Sequence, residues 1–227
     1  MINKFMALNN KSYIKGTYFP PGDKSISHRV LILAGQALGE STIYNLLEGE
    51  DVINTLKAMT LFGVRVTKKL NSYSIFGVPP GCLFQPKKII DFGNSGTGIR
   101  LICGLVSSNN IEVKLVGDNS LSKRPMKRVT DHLTRIGAEI NLKNETLPPI
   151  KIKGTGNAVP LTFEIIIPSA QIKSATILSA LNTNGTVKIK EFKTTRDHTE
   201  NMLKSMCYNI KIKENSTHRF IEMKNNR

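Results

Sequence analysis

Three segments, 56-LKAMTLFGVRV-66, 130-TDHLTRIGAEI-140 and 200-ENMLKSMCYNI-210, decide the fold. Each places apolar residues at helical spacing, breaks, and resumes with the alternation of a strand. The break falls at Gly63, Gly137 and Cys207. Glycine just past a helix end readily takes a left-handed conformation. Cysteine does not, so the third copy is expected to end its helix in some other way. Recurrence at a near-constant interval signals an architecture of repeated units.

A second triplet precedes the first: 29-RVLILAGQAL-38, 99-IRLICGLVSS-108 and 172-IKSATILSAL-181. These helices are apolar almost all round, as buried helices are, whereas the first triplet is amphipathic, as covering helices are. Each apolar helix leads into a strand pattern, at 41-STIYNLL-47, 111-IEVKLVG-117 and 185-GTVKIKEF-192, and 73-YSIFG-77 and 149-PIKIKG-154 supply further strands. The reading is an α/β (α+β) domain with pseudo-threefold repetition, buried helices inside and sheets outside.

The stretches that open the buried helices are 22-GDKSIS-27, 93-GNSGTG-98 and 168-PSAQ-171. All are small and polar, as helix N-termini prefer. Such ends present unpaired N–H groups and partial positive charge to an anion. Pseudo-symmetry would bring the three ends to one face. Lys24, Ser25 and Arg29 can there surround a single anion, as compact charge, hydroxyl donor and planar fork. The plainer alternative is that Ser25 caps the helix and the cations are merely exposed. The segment 91-DFGNSGTGIR-100 fits neither the Walker A loop nor the dinucleotide fingerprint, though its glycines allow close backbone approach to a ligand. In 118-DNSLSKRPMKRV-129, Arg124 beside the proline is best placed to be held rigidly, and Lys127 and Arg128 read as a solvated helix start. In 193-KTTRDHTE-200, Arg196 and Asp197 are expected to pair locally and His198 to hydrogen-bond at the helix start rather than act as a base.

The chain has 227 residues, 40% of them apolar, and a net charge of +15 from 32 basic and 17 acidic residues. This is the composition of a globular protein with a sizeable core. No run reaches the ~18 apolar residues of a membrane span, and the N-terminus has no secretory pattern. Cys82, Cys103 and Cys207, lacking CxxC spacing, read as reduced cytoplasmic thiols and not as a zinc site. The positive charge attracts polyanions or small multiply charged metabolites, with Lys188, Lys190, Lys211 and Lys213 as a solvated strand face. A nucleic-acid-binding module is the competing class. Only 6% of residues are aromatic and no RNA-binding signature is present, which argues against it.

The motifs PGDKSISHR, GEDVINTLKAM, DFGNSGTGIRL, GDNSLSKRPMKRV, SAQIKSA and TRDHTE occur in order and at matching spacings. Together they resemble the first half of the 5-enolpyruvylshikimate-3-phosphate synthase family, in its bacterial GDKSISHR/TRDHTE form, from about residue 12 to the end. The sister enolpyruvyl transferases acting on UDP-N-acetylglucosamine share the fold but lack the PGDKSISHR and TRDHTE patterns. The resemblance implies a two-domain fold, each domain made of three βαβαββ-type units, with substrates bound between the domains. It implies transfer of the enolpyruvyl group of phosphoenolpyruvate to the 5-hydroxyl of shikimate 3-phosphate, in the cytoplasm, by a monomeric full-length enzyme that needs no metal or organic cofactor and binds no nucleic acid or membrane.

Carried over by position, Lys24, Ser25, Arg29, Ser169, Ala170, Gln171 and Arg196 are expected to bind shikimate 3-phosphate. Lys24, Asn94, Gly96, Arg124 and Gln171 are expected to bind phosphoenolpyruvate. The same resemblance makes glyphosate an inhibitor of the full-length enzyme, because Gly96 stands where tolerant members often carry alanine. It assigns residues 1–17 to the second domain and 18–227 to the substrate-binding domain, with repeats over about 18–90, 91–160 and 161–227. The family's acid and base residues belong to its other half, so no catalytic residue is assignable here. The 227-residue chain is therefore expected to be inert alone.

Overall fold

The computed structural model describes residues 15–225. The expectation for residues 1–17 therefore falls almost wholly outside the described residues. The first unit comprises α1 (Lys24–Ala34), β1 (Glu40–Tyr44), α2 (Glu50–Leu61), β2 (Arg65–Lys68) and β3 (Ser72–Phe76). The second comprises β4 (Ile90–Asp91), α3 (Gly96–Ser107), β5 (Glu112–Val116), α4 (Lys127–Thr134), β6 (Glu139–Lys143) and β7 (Leu147–Lys153). The third comprises β8 (Thr162–Ile165), α5 (Ala170–Ala180), β9 (Gly185–Glu191), α6 (His198–Ser205), β10 (Ile210–Glu214) and β11 (Arg219–Asn225).

Three separate sheets result, in the orders β1-β3-β2, β4-β5-β7-β6 and β8-β9-β11-β10. The last two share one topology: a leading strand runs parallel to its neighbour, and the other pairs are antiparallel. Among the described residues the first sheet has no leading strand, but its three strands repeat the order of the rest. No helix among these residues is long and apolar enough to cross a membrane.

Burial follows the sequence pattern. Every residue of α5 from Ile172 to Ala180 is buried, and α3 is buried over nearly its whole length. By contrast α4 buries Val129, Thr130 and Leu133 and turns Lys127, Arg128 and Asp131 outward. Fully burying one large apolar side chain contributes about 1.5–3 kcal/mol, so the fully buried Phe62, Phe92 and Phe163 are principal anchors of the core.

Two of the covering helices, α2 and α6, end alike. After α2, Gly63 takes φ +96°, and the N–H groups of Gly63 and Val64 donate to Thr60 and Met59 carbonyls at 3.1 and 3.2 Å. This is the Schellman motif. After α6, Cys207 and Tyr208 donate in the same way to Lys204 and Leu203, at 3.0 and 2.9 Å, and Cys207 itself has φ 57°. The expectation of a different helix end in the third unit is thus corrected. The two capping bonds and the packing around them hold a non-glycine residue in a conformation that costs about 1–2 kcal/mol.

The repetition extends to individual bonds. Gly77 N–H donates to Gly39 O and Val78 N–H to Gly35 O, at 3.3 and 2.8 Å. In the second unit Gly154 donates to Ile111 O and Thr155 to Ser107 O, at 2.9 and 3.0 Å. A Cβ at Gly77 would overlap the carbonyls of Ala34 and Ala37, and one at Gly154 those of Val106 and Asn109. The third unit meets its corresponding carbonyls, Ala180 and Thr183, with the Asn225 amide at 2.5 and 3.1 Å. A side-chain donor there does the work that close backbone approach does twice before.

Candidate functional site

The helix entrances of α1, α3 and α5 are built alike. Asp23, Ser95 and Ser169 are their N-caps, accepting from the backbone N–H of Ile26, Gly98 and Ile172 at 2.7, 3.2 and 3.3 Å. None of these helices has an acidic residue in its first turn, whereas α2 carries Glu50 and Asp51 and α6 carries Glu200. The positive ends of α3 and α5, capped by neutral serines, therefore have no acid in their caps or first turns, whereas the Asp23 carboxylate caps that of α1. Gln171 Nε2 donates to Thr97 Oγ1 at 3.0 Å, which ties the second entrance to the third.

At the first entrance Lys24 is exposed and paired with Asp51, which stands in the first turn of α2. Ser25 is not the cap. Its hydroxyl and its carbonyl accept from Arg29 Nη1 at 2.7 and 2.9 Å. Arg29 is buried, and its remaining bonds go to Thr199 Oγ1 from Nε and Ser174 Oγ from Nη2, both at 2.8 Å. Four of its five N–H donors are thus held by oxygen atoms of this chain. Burial pushes the Arg29 guanidinium down from its usual pKa, and the charge of Glu200 opposes that.

At the second entrance Asn94 is exposed and Gly96 buried. Arg124 Nη2 donates to Asn94 Oδ1, and to Ser120 Oγ at 3.2 Å. Asn94 Nδ2 donates in turn to Asp118 Oδ2 at 2.8 Å. The backbone N–H of Leu121 and this amide hold the Asp118 carboxyl below the usual carboxylate range. Arg100 Nη1 donates to Gly96 O at 3.0 Å and Nη2 to Pro125 O at 3.1 Å. A Cβ at Gly96 would lie 2.9 Å from Arg124 Nη1 and 3.1 Å from Arg100 Nη1, so the absence of a side chain leaves room for two guanidinium groups.

At the third entrance Ser169, Ala170 and Gln171 are half-buried and Arg196 is exposed. A cavity of about 170 Å³ between the second and third entrances is lined by Arg100, Arg128, Ser169 and Gln171, among others. Asp197 lies 4.0 Å from Arg219, not paired with Arg196 as expected. His198 begins α6 but makes no helix-start bond through its buried Nδ1, which has no partner among the described residues. Lys127 pairs with Asp131 across one turn at 3.3 Å, with both side chains more than half exposed, as a solvated helix start should.

The sequence reading passed over Asp51, Thr97, Arg100, Ser174 and Thr199. Asp51 and Arg100 lay inside quoted motifs, and Arg100 sits one helical turn beyond Gly96. Ser174 and Thr199 also lay inside motifs, SAQIKSA and TRDHTE, but their link to Arg29 spans 145 and 170 residues and leaves no local signal.

Residues 8–225 match the family model described as EPSP synthase (3-phosphoshikimate 1-carboxyvinyltransferase). A 3-phosphoshikimate 1-carboxyvinyltransferase of Ruegeria sp. (strain TM1040) is 44% identical over 219 residues, covering 96% of this chain and 49% of that protein. One from Streptococcus agalactiae serotype Ia is 42% identical over 208 residues, covering 91% and 49%. Two structures of EPSP synthase from Acinetobacter baumannii superpose with TM-scores of 0.84 and 0.85 at 35% and 34% identity. They cover 92% and 93% of this chain, and 46% and 48% of theirs. The chain thus spans about half the length of the relatives it matches. With that match running through all three helix entrances and the same domain fold in the solved relatives, the chain belongs to the EPSP synthase (3-phosphoshikimate 1-carboxyvinyltransferase) family.

Proposed function

We propose that this chain is the N-terminal half of the family's cytoplasmic enzyme and supplies its substrate-binding domain, spanning residues 18–227 and divided into repeats at about residues 90 and 160. The reaction transfers the enolpyruvyl group of phosphoenolpyruvate to the 5-hydroxyl of shikimate 3-phosphate. Shikimate 3-phosphate is assigned to Lys24, Ser25, Arg29, Ser169, Ala170, Gln171 and Arg196. Phosphoenolpyruvate is assigned to Lys24, Asn94, Gly96, Arg124 and Gln171. The observation that carries this reading is the joining of helix ends without first-turn acids by Gln171–Thr97, beside Arg100 and Arg124. Two anionic substrates repel each other, and preorganised cations and helix ends offset that repulsion before the reaction begins. Arg29 contributes chiefly as a fixed charge, since its donors are largely engaged within the chain.

Calorimetry of the 227-residue chain with shikimate 3-phosphate, alone and with phosphoenolpyruvate, tests the reading. Weak binding of shikimate 3-phosphate is expected, because an open half-site leaves the anion hydrated, and Arg196→Ala should weaken it by about tenfold, the worth of one charge-assisted hydrogen bond. No turnover is expected without the other half, since the acid and base groups must lie within hydrogen-bond reach of the reacting atoms. Turnover by the purified chain would refute the inertness. Absence of metabolite binding, together with salt-steep affinity for nucleic acid, would favour a polyanion-binding module instead.

Gly96 gives a second test. In the full-length enzyme a methyl there would press on the tips of Arg124 and Arg100 and narrow the pocket, so glyphosate inhibition should be strong with Gly96 and relieved by Gly96→Ala. Equal resistance of both proteins in inhibition assays would sink this.

A further inference from the structure

The fully buried ion cluster of Lys173, Glu191 and Glu200 lies outside the candidate site. All three side chains have 0% exposure. Lys173 Nζ donates to Glu191 Oε2 at 2.9 Å and to the Thr195 carbonyl at 3.3 Å. It lies 2.7 Å from Glu200 Oε1, an ionic contact without hydrogen-bond alignment. Glu191 Oε1 accepts from Thr195 Oγ1 at 2.6 Å. Thr195 is thus gripped at both its carbonyl and its hydroxyl, immediately before Arg196.

The neighbours of the cluster hold Arg29. Ser174 follows Lys173 on α5, and Thr199 precedes Glu200 on α6. Thr199 Oγ1 donates to Ser174 Oγ at 2.8 Å, and Ser174 Oγ donates to the Ala170 carbonyl at 2.7 Å. Both hydroxyl oxygens are left to accept from Arg29, as they do. Two adjacent pairs on two helices therefore form one device, with an ionic clamp on one side and a hydroxyl cradle on the other.

Stability alone does not account for such a cluster. Each buried ion loses several kcal/mol of hydration, and replacing a buried ion pair or triad by apolar residues of similar volume is often neutral or stabilising. What the cluster supplies is direction. We propose that Lys173, with Glu191 and Glu200, is a positioning element that fixes the Thr195–Arg196 backbone and the α5–α6 cradle of Arg29, so that both cations face the anion site preformed. The proposal rests on the reading of Arg29 and Arg196 as shikimate 3-phosphate ligands.

Lys173→Met in the 227-residue chain removes the charge and keeps most of the volume. Tryptic cleavage after Lys193 and Arg196 is expected to speed up by about tenfold or more as the segment loses its anchor, with no change after Lys114 in β5 and Lys151 in β7. Shikimate 3-phosphate affinity measured by calorimetry should fall by about tenfold or more as the loop loses its preorganisation. Unchanged cleavage after Lys193 and Arg196, or a uniform rise across all three sheets, overturns the proposal and leaves the cluster a structural one. If the unsubstituted chain binds no shikimate 3-phosphate, the ligand assignment fails, and the cleavage pattern still decides the positioning role. Should Lys173→Met not fold, Thr195→Val removes the hydroxyl tether while leaving the ions paired. Faster cleavage confined to Lys193 and Arg196 is then expected, and no change there overturns the proposal.

Discussion

Replacing Gly104 by alanine should destabilise the chain by about 3 kcal/mol or more, although the same change on a free helix surface would stabilise it by up to ~1 kcal/mol. Gly104 lies in the middle of α3, where it faces α5. A Cβ there would strike the carbonyl oxygen, Cα and carbonyl carbon of Ala175, all of them backbone atoms. No rotamer change relieves such a contact, so the two buried helices must separate along their whole packed length. Both are sealed on nearly every side, so the separation spreads into all three units instead of being absorbed at a surface. For a domain of this size the loss corresponds to a fall in Tm of roughly 6–12 °C. Gly16→Ala is the control, since nothing lies within 4 Å of a Cβ at that position. Urea or thermal unfolding that left Gly104→Ala within ~0.5 kcal/mol of the parent, the range of ordinary surface changes, would mean that α3 and α5 do not pack at this distance.

The repeated architecture was legible because two periodicities alternate along the chain: all-round apolar helices, then amphipathic ones. Those patterns report burial directly, and burial is what the fold organises. The glycines that let elements touch were not legible in the same way. Gly77, Gly104 and Gly154 each sit against backbone from another part of the chain, a relation carried by no local pattern. The third unit shows why expectation failed at Cys207. The cost of a left-handed cysteine is smaller than the gain from two capping bonds and the packing beyond them, so the helix keeps its Schellman end without the residue that normally announces it. The candidate site was visible in part. Lys24, Asn94 and Gln171 sit at helix entrances that the sequence marks with small polar residues. The groups that orient them do not. Arg29 is fixed by Ser174 and Thr199, whose partnership exists only once α1, α5 and α6 have packed together.

His28 should make the folded state acid-sensitive by roughly 3 kcal/mol between pH 6.5 and about 4, a window set by its own titration. Its ring is wholly buried, with Nδ1 2.8 Å from Thr55 Oγ1 and Nε2 without a partner among the described residues. An imidazolium needs an acceptor at both nitrogens, and here one of them has none. Burial is the largest cause of a pKa pushed down from 6.5 to about 4. Asp51 opposes the shift, and the charges of Lys24 and Arg29 add to it. The unfolded chain therefore takes up this proton first. The stability that His28 contributes by remaining neutral is complete above pH 6.5, declines as the pH falls, and is exhausted near pH 4. His28→Gln keeps a hydrogen-bonding side chain and removes the titration. Unfolding free energies at pH 7.5 and 4.5 should then differ between parent and variant by about 2–3 kcal/mol in their pH dependence. His132, whose pKa burial also lowers, is present in both proteins and cancels from the comparison. Parallel pH profiles, or a His28 ring resonance titrating near 6.5, would show that water reaches the ring and that α1 does not close over it.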